Sequence, residues 1–355
     1  MPERRAGSQR QSVPLMRSED VATGGGDPEA GLRAMADLVT PMAVRVAATL
    51  RIADHIARGM RTAPALASAV HADADTLERL LRHLTAAGVL SRDASDHYAL
   101  TALGDVLRDE HPGRMRQRLD IESALGRAEL SFVQLLHSVC TAQPAFPEQF
   151  GRSFWEDLAA DPARSASFDT QMGFDVAAWA PAIVSAYDWG SLGHVIDVGG
   201  GNGSLMIALL AEYAALRGTV VDLPRTAGVA RERLTTAGLP ERSDVVAGSF
   251  FDPLPPGAGG YLLVAIIHDW DDEDARAILH RCAEAAGAHG RVFVVEKIGS
   301  DGVSPNTEMD LRMLAYFGGR ERGLGELTAL AEDSGFDVAA VHSAGAISII
   351  ELRAR

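Results

Sequence analysis

The run Asp197-Val198-Gly199-Gly200-Gly201-Asn202-Gly203 follows the apolar stretch HVIDV and precedes a second one, SLMIALLAEYAAL. A strand that enters a glycine turn and opens a helix is a setting for a nucleotide cofactor. A dinucleotide fingerprint requires G-x-G-x-x-G. Here the sixth position is Ser204 counted from Gly199 and Met206 counted from Gly201. Asp197, two residues before the first glycine, would also repel a pyrophosphate. No Gly-Lys-Ser/Thr follows, which excludes a P-loop. An acid at this place suits a cofactor with an ammonium group and no phosphate, and S-adenosyl-L-methionine is such a molecule. Asp222 ends the next apolar stretch, GTVVD. There it would accept hydrogen bonds from two ribose hydroxyls; the other reading is an acid that caps the following helix. Ser249-Phe250-Phe251 follows the third stretch and offers Phe250 as an aromatic face for adenine.

The fourth stretch, GYLLVAIIHDW, is read as a strand ending in Ile266-Ile267-His268-Asp269-Trp270. That places His268 at the carboxyl edge of a sheet, facing the cofactor crevice. A phenol has a pKa of ~10, so about one in a thousand is ionised at pH 7. Phenolate attacks a sulfonium methyl far better than phenol does, and a neutral imidazole within reach is its natural general base. The alternative is a histidine that caps the next helix. Asp269, Asp271, Asp272 and Asp274 read as helix N-terminal charge, and no metal is expected.

The runs DVGGGNG, VVDLP, GSFFDPLP, HDWDDEDARAIL, DLRML and GGRERGLGEL occur in that order. Over about residues 30–355 the chain thereby resembles the class I S-adenosylmethionine-dependent O-methyltransferases of the plant caffeate/isoflavonoid type and their bacterial antibiotic-pathway relatives. The resemblance implies that Gly199 and Asp222 bind the cofactor, with Asp197 and Gly201 in the same loop. It implies that Ser249 and Phe250 flank the adenine and that His268 is the base. Glu296 and Glu321 match the two acids that flank and orient that histidine. Two positions depart from the pattern. Ser249 stands where many members have an aspartate, and Val264 where plant members have a lysine. Longer runs such as ADLVTPMAVRVAATLRIADHIA and DLRMLAYFGGRER resemble members that act on hydroxylated naphthoic acids, which implies a small aromatic hydroxy-acid substrate. Two rivals stand beside this reading. One is the same scaffold turned to C-methylation, decarboxylation or hydroxylation, against which His268, Glu296 and Glu321 speak. The other is a winged-helix ligand sensor.

An aromatic acid brings a carboxylate into an apolar pocket, where a cation must meet it. Arg312, beside Met309 and Met313 at helical spacing, is one candidate; an ion pair with Asp310 or Glu308 is its other reading. Arg33 is the second and the slightly favoured one, since it begins a helix that a dimer would carry into the partner's site. Its other reading is an i,i+4 pair with Asp37. Met172 and Asp269 complete the expected substrate contacts.

The elements that must position these groups divide the 355 residues into four parts. Residues 1–28 read as a disordered tail and 29–110 as a winged-helix-like dimerisation domain. Residues 111–190 read as a helical connector and substrate-pocket segment. Residues 191–355 alternate strand and helix, which predicts an α/β, Rossmann-like domain with a mostly parallel sheet that binds S-adenosylmethionine. In the first domain, Leu38–Leu50 carries the single charge Arg45, with Thr40 as expected N-cap and Pro41 at N1. A helix so apolar must be buried all round, which points to a homodimer. Two further helices and a hairpin follow. The second of these helices carries Arg79, Arg82 and His83. The net charge of −15 nevertheless argues against nucleic acid and against anionic lipid. Lys297 is the only lysine among 33 lysines and arginines. Two distant cysteines, no apolar leader and no run of ~18 apolar residues point to a cytoplasmic protein that does not enter a membrane.

Overall fold

The computed structural model describes residues 27–298 and 306–355. The expected tail therefore lies outside the described residues up to position 26. Asp27 accepts the Glu29 N–H at 3.1 Å and opens a helix over Pro28–Ala36. It starts ahead of Leu32, where apolar spacing begins, because an aspartate cap and a proline at N1 set its start.

The next helix is Val39–Thr49, and its start corrects the expected cap. Asp37, not Thr40, accepts the free N–H groups of Val39 at 3.0 Å and Thr40 at 3.3 Å. Pro41 sits in the first turn, where its missing donor costs nothing. Thr40 Oγ1 instead meets His83 Nε2 at 3.1 Å. Within one subunit only Ala43, Ala47 and Ala48 of this helix are buried. Leu32, Met35, Leu38 and Val39 are 70, 71, 65 and 63% exposed. That apolar strip is what a second chain would cover.

Helices Ala63–Val70 and Ala74–Ala86 lead into β1 (Leu90–Arg92) and β2 (Tyr98–Leu100), an antiparallel pair. Leu66, Leu81, Leu84 and Tyr98 form the core of this winged-helix shape. Arg82 and Arg92 reach Glu78 and His83 is held by Thr40, so these basic groups are engaged inside the subunit. The connector is helical and ends in the 25-residue helix Pro162–Ala186.

The remaining residues form β3 (His194–Val198), β4 (Arg217–Asp222), β5 (Ser243–Ala247), β6 (Gly260–Val264), β7 (Arg291–Glu296), β8 (Phe336–Ala344) and β9 (Ile347–Ala354). They lie in the order β5-β4-β3-β6-β7-β9-β8. The first five are parallel, and β9 runs antiparallel to β7 and β8. β8 is covered on one face only, through Phe336, Val338, Ala340, His342 and Ala344, while Asp337 and Ser343 are exposed on the other. Helices Pro162–Ala186, Ser204–Glu212 and Pro224–Thr236 pack on one face of the sheet. Helices Asp272–Ala286 and Leu324–Asp333 pack on the other. Strand order reverses between β3 and β6, and ligands of such sheets bind at that point, outside the carboxyl ends of the strands. Among the described residues no helix is long and apolar enough to cross a membrane.

The exposed strip yields a prediction. Replacing Leu32 and Met35 together by aspartate should weaken self-association by about a hundredfold or more, at ~1.5–3 kcal/mol per large apolar side chain. Light scattering across a dilution series reads the outcome, with circular dichroism unchanged. A dimer that persists to the same dilution would remove this strip from the interface.

Candidate active site

β3 delivers Asp197, buried, to the glycine turn. Gly199 has φ 71°, and a Cβ there would stand 2.6 Å from Ile266 Cδ1 and 3.3 Å from Phe250 Cε1, so only glycine fits. Its N–H donates to the Val221 carbonyl at 2.8 Å. Asp222, at the end of β4, holds the turn from the other side. Its Oδ2 accepts the Gly201 N–H at 2.8 Å and its Oδ1 the Leu223 N–H at 2.7 Å. Each oxygen keeps a lone pair for a ligand hydroxyl. Burial pushes Asp222 up to about 6 and Asp197 up to about 7, the second helped by the charge of the first. Asp197 Oδ1 is buried without a hydrogen-bond partner among the described residues. A buried orphan acceptor is costly, and a ligand ammonium would relieve it. The loop therefore fits a cofactor with ammonium and ribose groups. Phe250 meets Trp270 edge-on at 5.7 Å beside it. Ser249 Oγ accepts the Phe251 N–H at 3.2 Å and brings no charge to this end.

Two residues of this crevice were not singled out in the sequence. Asn202 accepts the Ser204 N–H at 3.2 Å and reaches the Asp169 carbonyl at 3.4 Å, which docks the glycine turn on helix Pro162–Ala186. Gly173 on that helix leaves the room, since a Cβ there would overlap Asn202. Neither residue type announces such a role without the partner helix in place.

The histidine does not sit on a strand. β6 ends at Val264, Ala265 takes φ 54°, and Ile267–Asp269 is a short 3-10 turn. The left-handed residue breaks the ladder and turns His268 over the crevice. It is not a helix cap either, because Asp271 accepts the Glu273 and Asp274 N–H groups at 3.0 and 2.9 Å. Glu296, at the end of β7 and 5% exposed, binds the turn three ways. Oε2 takes the His268 Nδ1–H at 2.6 Å, and Oε1 accepts the Ile267 and His268 N–H groups at 3.1 and 3.3 Å. With Nδ1 held, Nε2 is the ring nitrogen left without a bond to Glu296. Asp269 Oδ1 lies 3.4 Å from it. Burial alone would lower the imidazole, but the charges of Glu296 and Asp269 and the Nδ1 bond overcome that and push it up to about 10. Burial pushes Asp269 itself up to about 7. Glu321 is buried nearby, its N–H on Asp310 Oδ1 at 2.9 Å. It acts on His268 through charge and makes no hydrogen bond to it. Of the two acids expected to flank the base, only Glu296 touches it.

Beyond the turn lies an aromatic wall. Trp155 stacks between Trp270 at 5.8 Å and Phe317 at 5.2 Å. Met313 is buried and Met309 half-buried in the cluster behind it, and Met172 is half-buried on the long helix. Arg312 is not free for a substrate. Its Nε donates to Glu129 Oε1 at 2.6 Å, and Nη1 reaches Glu308 at 3.4 Å. Asp310 is instead held by the Glu321 N–H. Tyr316 Oη also donates to Glu129 Oε1, at 2.6 Å, and Arg45 to Oε2, at 2.8 Å. The lone charge of helix Val39–Thr49 is thus tied to the wall of the pocket. Arg33 is exposed and makes no ion pair with a described residue, because Asp37 is occupied as a cap.

Comparison with known proteins agrees with this geometry. A model of the O-methyltransferase dimerisation domain matches residues 32–109, and one of the O-methyltransferase domain matches residues 132–337. The chain is 56% identical over 324 residues to the 2,7-dihydroxy-5-methyl-1-naphthoate 7-O-methyltransferase of Streptomyces carzinostaticus, spanning 91% of this chain and 97% of that one. It is 41% identical over 324 residues to the aclacinomycin 10-hydroxylase of Streptomyces purpurascens, spanning 90% and 87%. A solved O-methyltransferase from neocarzinostatin biosynthesis, in complex with S-adenosylmethionine and 2-hydroxy-5-methyl naphthoic acid, is 56% identical. It superposes with a TM-score of 0.88 over 92% of this chain and 99% of that one. With both domain models matched along a fold that joins a glycine turn, the strand-end acid Asp222 and a glutamate-held histidine, the chain belongs to the O-methyltransferase family that pairs through an N-terminal dimerisation domain.

Proposed function

We propose that the chain moves a methyl group from S-adenosyl-L-methionine to a hydroxyl of a hydroxylated naphthoic or similar polyketide-derived aromatic acid, in antibiotic biosynthesis and in the cytoplasm. The observation that carries this reading is the 2.6 Å contact of His268 Nδ1 with Glu296 beside the cofactor crevice. Residues 29–110 serve pairing, 111–190 connect and line the pocket, and 191–355 carry the chemistry.

The bound cofactor supplies an electrophilic methyl on a sulfonium. Asp222 holds the ribose hydroxyls, Asp197 and the Gly199–Gly201 turn face the ammonium, and Phe250 covers the adenine beside Ser249. His268 Nε2 takes the proton of the acceptor hydroxyl, and Glu296 steadies the imidazolium that forms. Glu321 adds negative charge at longer range. In the free site His268 already holds a proton, since its pKa is pushed up to about 10. Next to a cationic ligand the imidazolium is disfavoured, so His268 loses that proton as the crevice fills. Asp269 beside Nε2, Met172, Met309 and Met313 bound the acceptor, with Trp155 and Phe317 behind them. Arg312 supports the wall through Glu129, and Arg33 of the second subunit meets the acceptor carboxylate. The hydroxylase relative keeps hydroxylation as a second reading, and product mass separates a gained methyl from a gained oxygen.

Replacing His268 with alanine should lower kcat by about 10²–10⁴ with cofactor affinity nearly intact. In the native enzyme kcat/KM, which reports free-enzyme groups, should climb as pH rises from 6.5 toward 10. Glu296→Gln should move that limb to lower pH by removing the main charge that holds the proton. Full turnover of the alanine variant at pH 7 would make His268 structural. For the acceptor acid, Arg33→Ala should cost more than about tenfold in kcat/KM on a hydroxy-naphthoate and little on the matching naphthol. Equal losses on both would leave Arg33 an interface residue only.

A further inference from the structure

Glu296 holds two backbone donors of the His268 turn; two acceptors of the same turn are held by one buried arginine. Arg322, from the GGRER run, is 4% exposed. Its Nη1 donates to the Ile267 carbonyl at 2.8 Å and its Nη2 to the Trp270 carbonyl at 2.9 Å. Nε and Nη2 also reach Asp272 Oδ1 at 3.0 and 2.7 Å. The intervening His268 carbonyl accepts the Arg320 N–H at 2.9 Å. The loop comes this close because Gly319 has no Cβ. One built there would overlap the His268 carbonyl and lie 2.7 Å from the Asp269 carbonyl.

The flat fork of a guanidinium spans two carbonyls three residues apart, which a point cation cannot do. Its pairing with Asp272 does not explain its burial, since that carboxylate is 46% exposed and such pairs contribute little. The two carbonyl bonds are the distinctive feature, and they bracket the base. We propose that Arg322 is a positioning residue for His268: it closes the 267–270 turn from the carbonyl side and so sets where Nε2 stands against the reacting hydroxyl. Arg322 touches neither acceptor nor cofactor in this role. This inference rests on His268 acting as the base.

The test compares Arg322→Met, Arg322→Lys and Asp272→Asn in the full-length dimer, with His268→Ala alone and combined with Arg322→Met. A displaced base should cost Arg322→Met on the order of 10²-fold in kcat, with acceptor KM and cofactor Kd within about threefold. The lysine variant keeps the charge and the fold but should recover only part of kcat. Asp272→Asn leaves both carbonyl bonds in place and should stay within about threefold of the native rate. In the His268→Ala background, Arg322→Met should cost little more, because its effect runs through the histidine. Full activity of the lysine variant would overturn the proposal, as would an undiminished further loss in the His268→Ala background. A loss confined to KM or cofactor Kd would overturn it too. If Arg322→Met does not fold, the lysine and Asp272→Asn variants still decide. If His268→Ala keeps full turnover, the reading of the base has failed, and that outcome is separate from a failure of Arg322 alone.

Discussion

A buried carboxylate and a half-buried imidazole 2.6 Å apart organise the crevice. Glu296 can be buried because both its oxygens are engaged: one on Nδ1, the other on two backbone donors of the same turn. That arrangement satisfies the acid, fixes the ring through Nδ1 and favours the imidazolium. The same pairing explains the pH dependence of the account. A group held above its ordinary 6.5 contributes stability that is complete below 6.5 and fades as pH rises through about 10. The proposed mechanism needs the neutral imidazole, and on it the binding of the charged cofactor and the loss of that proton are coupled.

The two halves of the crevice use opposite electrostatics. On the cofactor side, burial holds the carboxyls of Asp197 and Asp222 up, and Asp197 Oδ1 has no donor among the described residues. On the acceptor side, an aromatic stack built from Trp155, Trp270 and Phe317 meets the histidine turn. Glu129 ties that wall to the pairing domain: Arg45, Arg312 and Tyr316 all reach it, and their combined pull keeps its carboxyl low although burial would raise it. The one charge of helix Val39–Thr49 is thus spent inward, and the side chains left outside are apolar.

Much of this was legible from the amino-acid sequence. Alternating apolar stretches and helical spacings marked the parallel sheet, the two-helix-and-hairpin shape and the glycine turn. The missing third glycine and the acid at Asp197 excluded pyrophosphate. Local signals failed where distant segments decide. The strand was carried through to Trp270, because nothing in VAIIHDW reveals that Ala265 turns left-handed under the ladder of β7. Thr40 looked like a cap until Asp37 took both donors and His83 took the hydroxyl. For Arg312 the sequence offers Asp310 or Glu308 as ion-pair partners; the Glu308 contact forms, but the shorter bond goes to Glu129, which lies in another part of the chain. Glu321 looked equal to Glu296, yet its contact with the base is charge without a hydrogen bond.

On the proposed mechanism, Glu296 holds His268 as an oriented imidazolium until the cofactor binds. Nitrogen-15 NMR of the histidine rings across a pH titration tests it most directly, with the His268→Ala variant assigning the resonance. Both ring nitrogens of His268 should stay protonated through neutrality and titrate only as pH approaches about 10. A His268 ring that titrates near 6.5 in the folded, ligand-free dimer would contradict it.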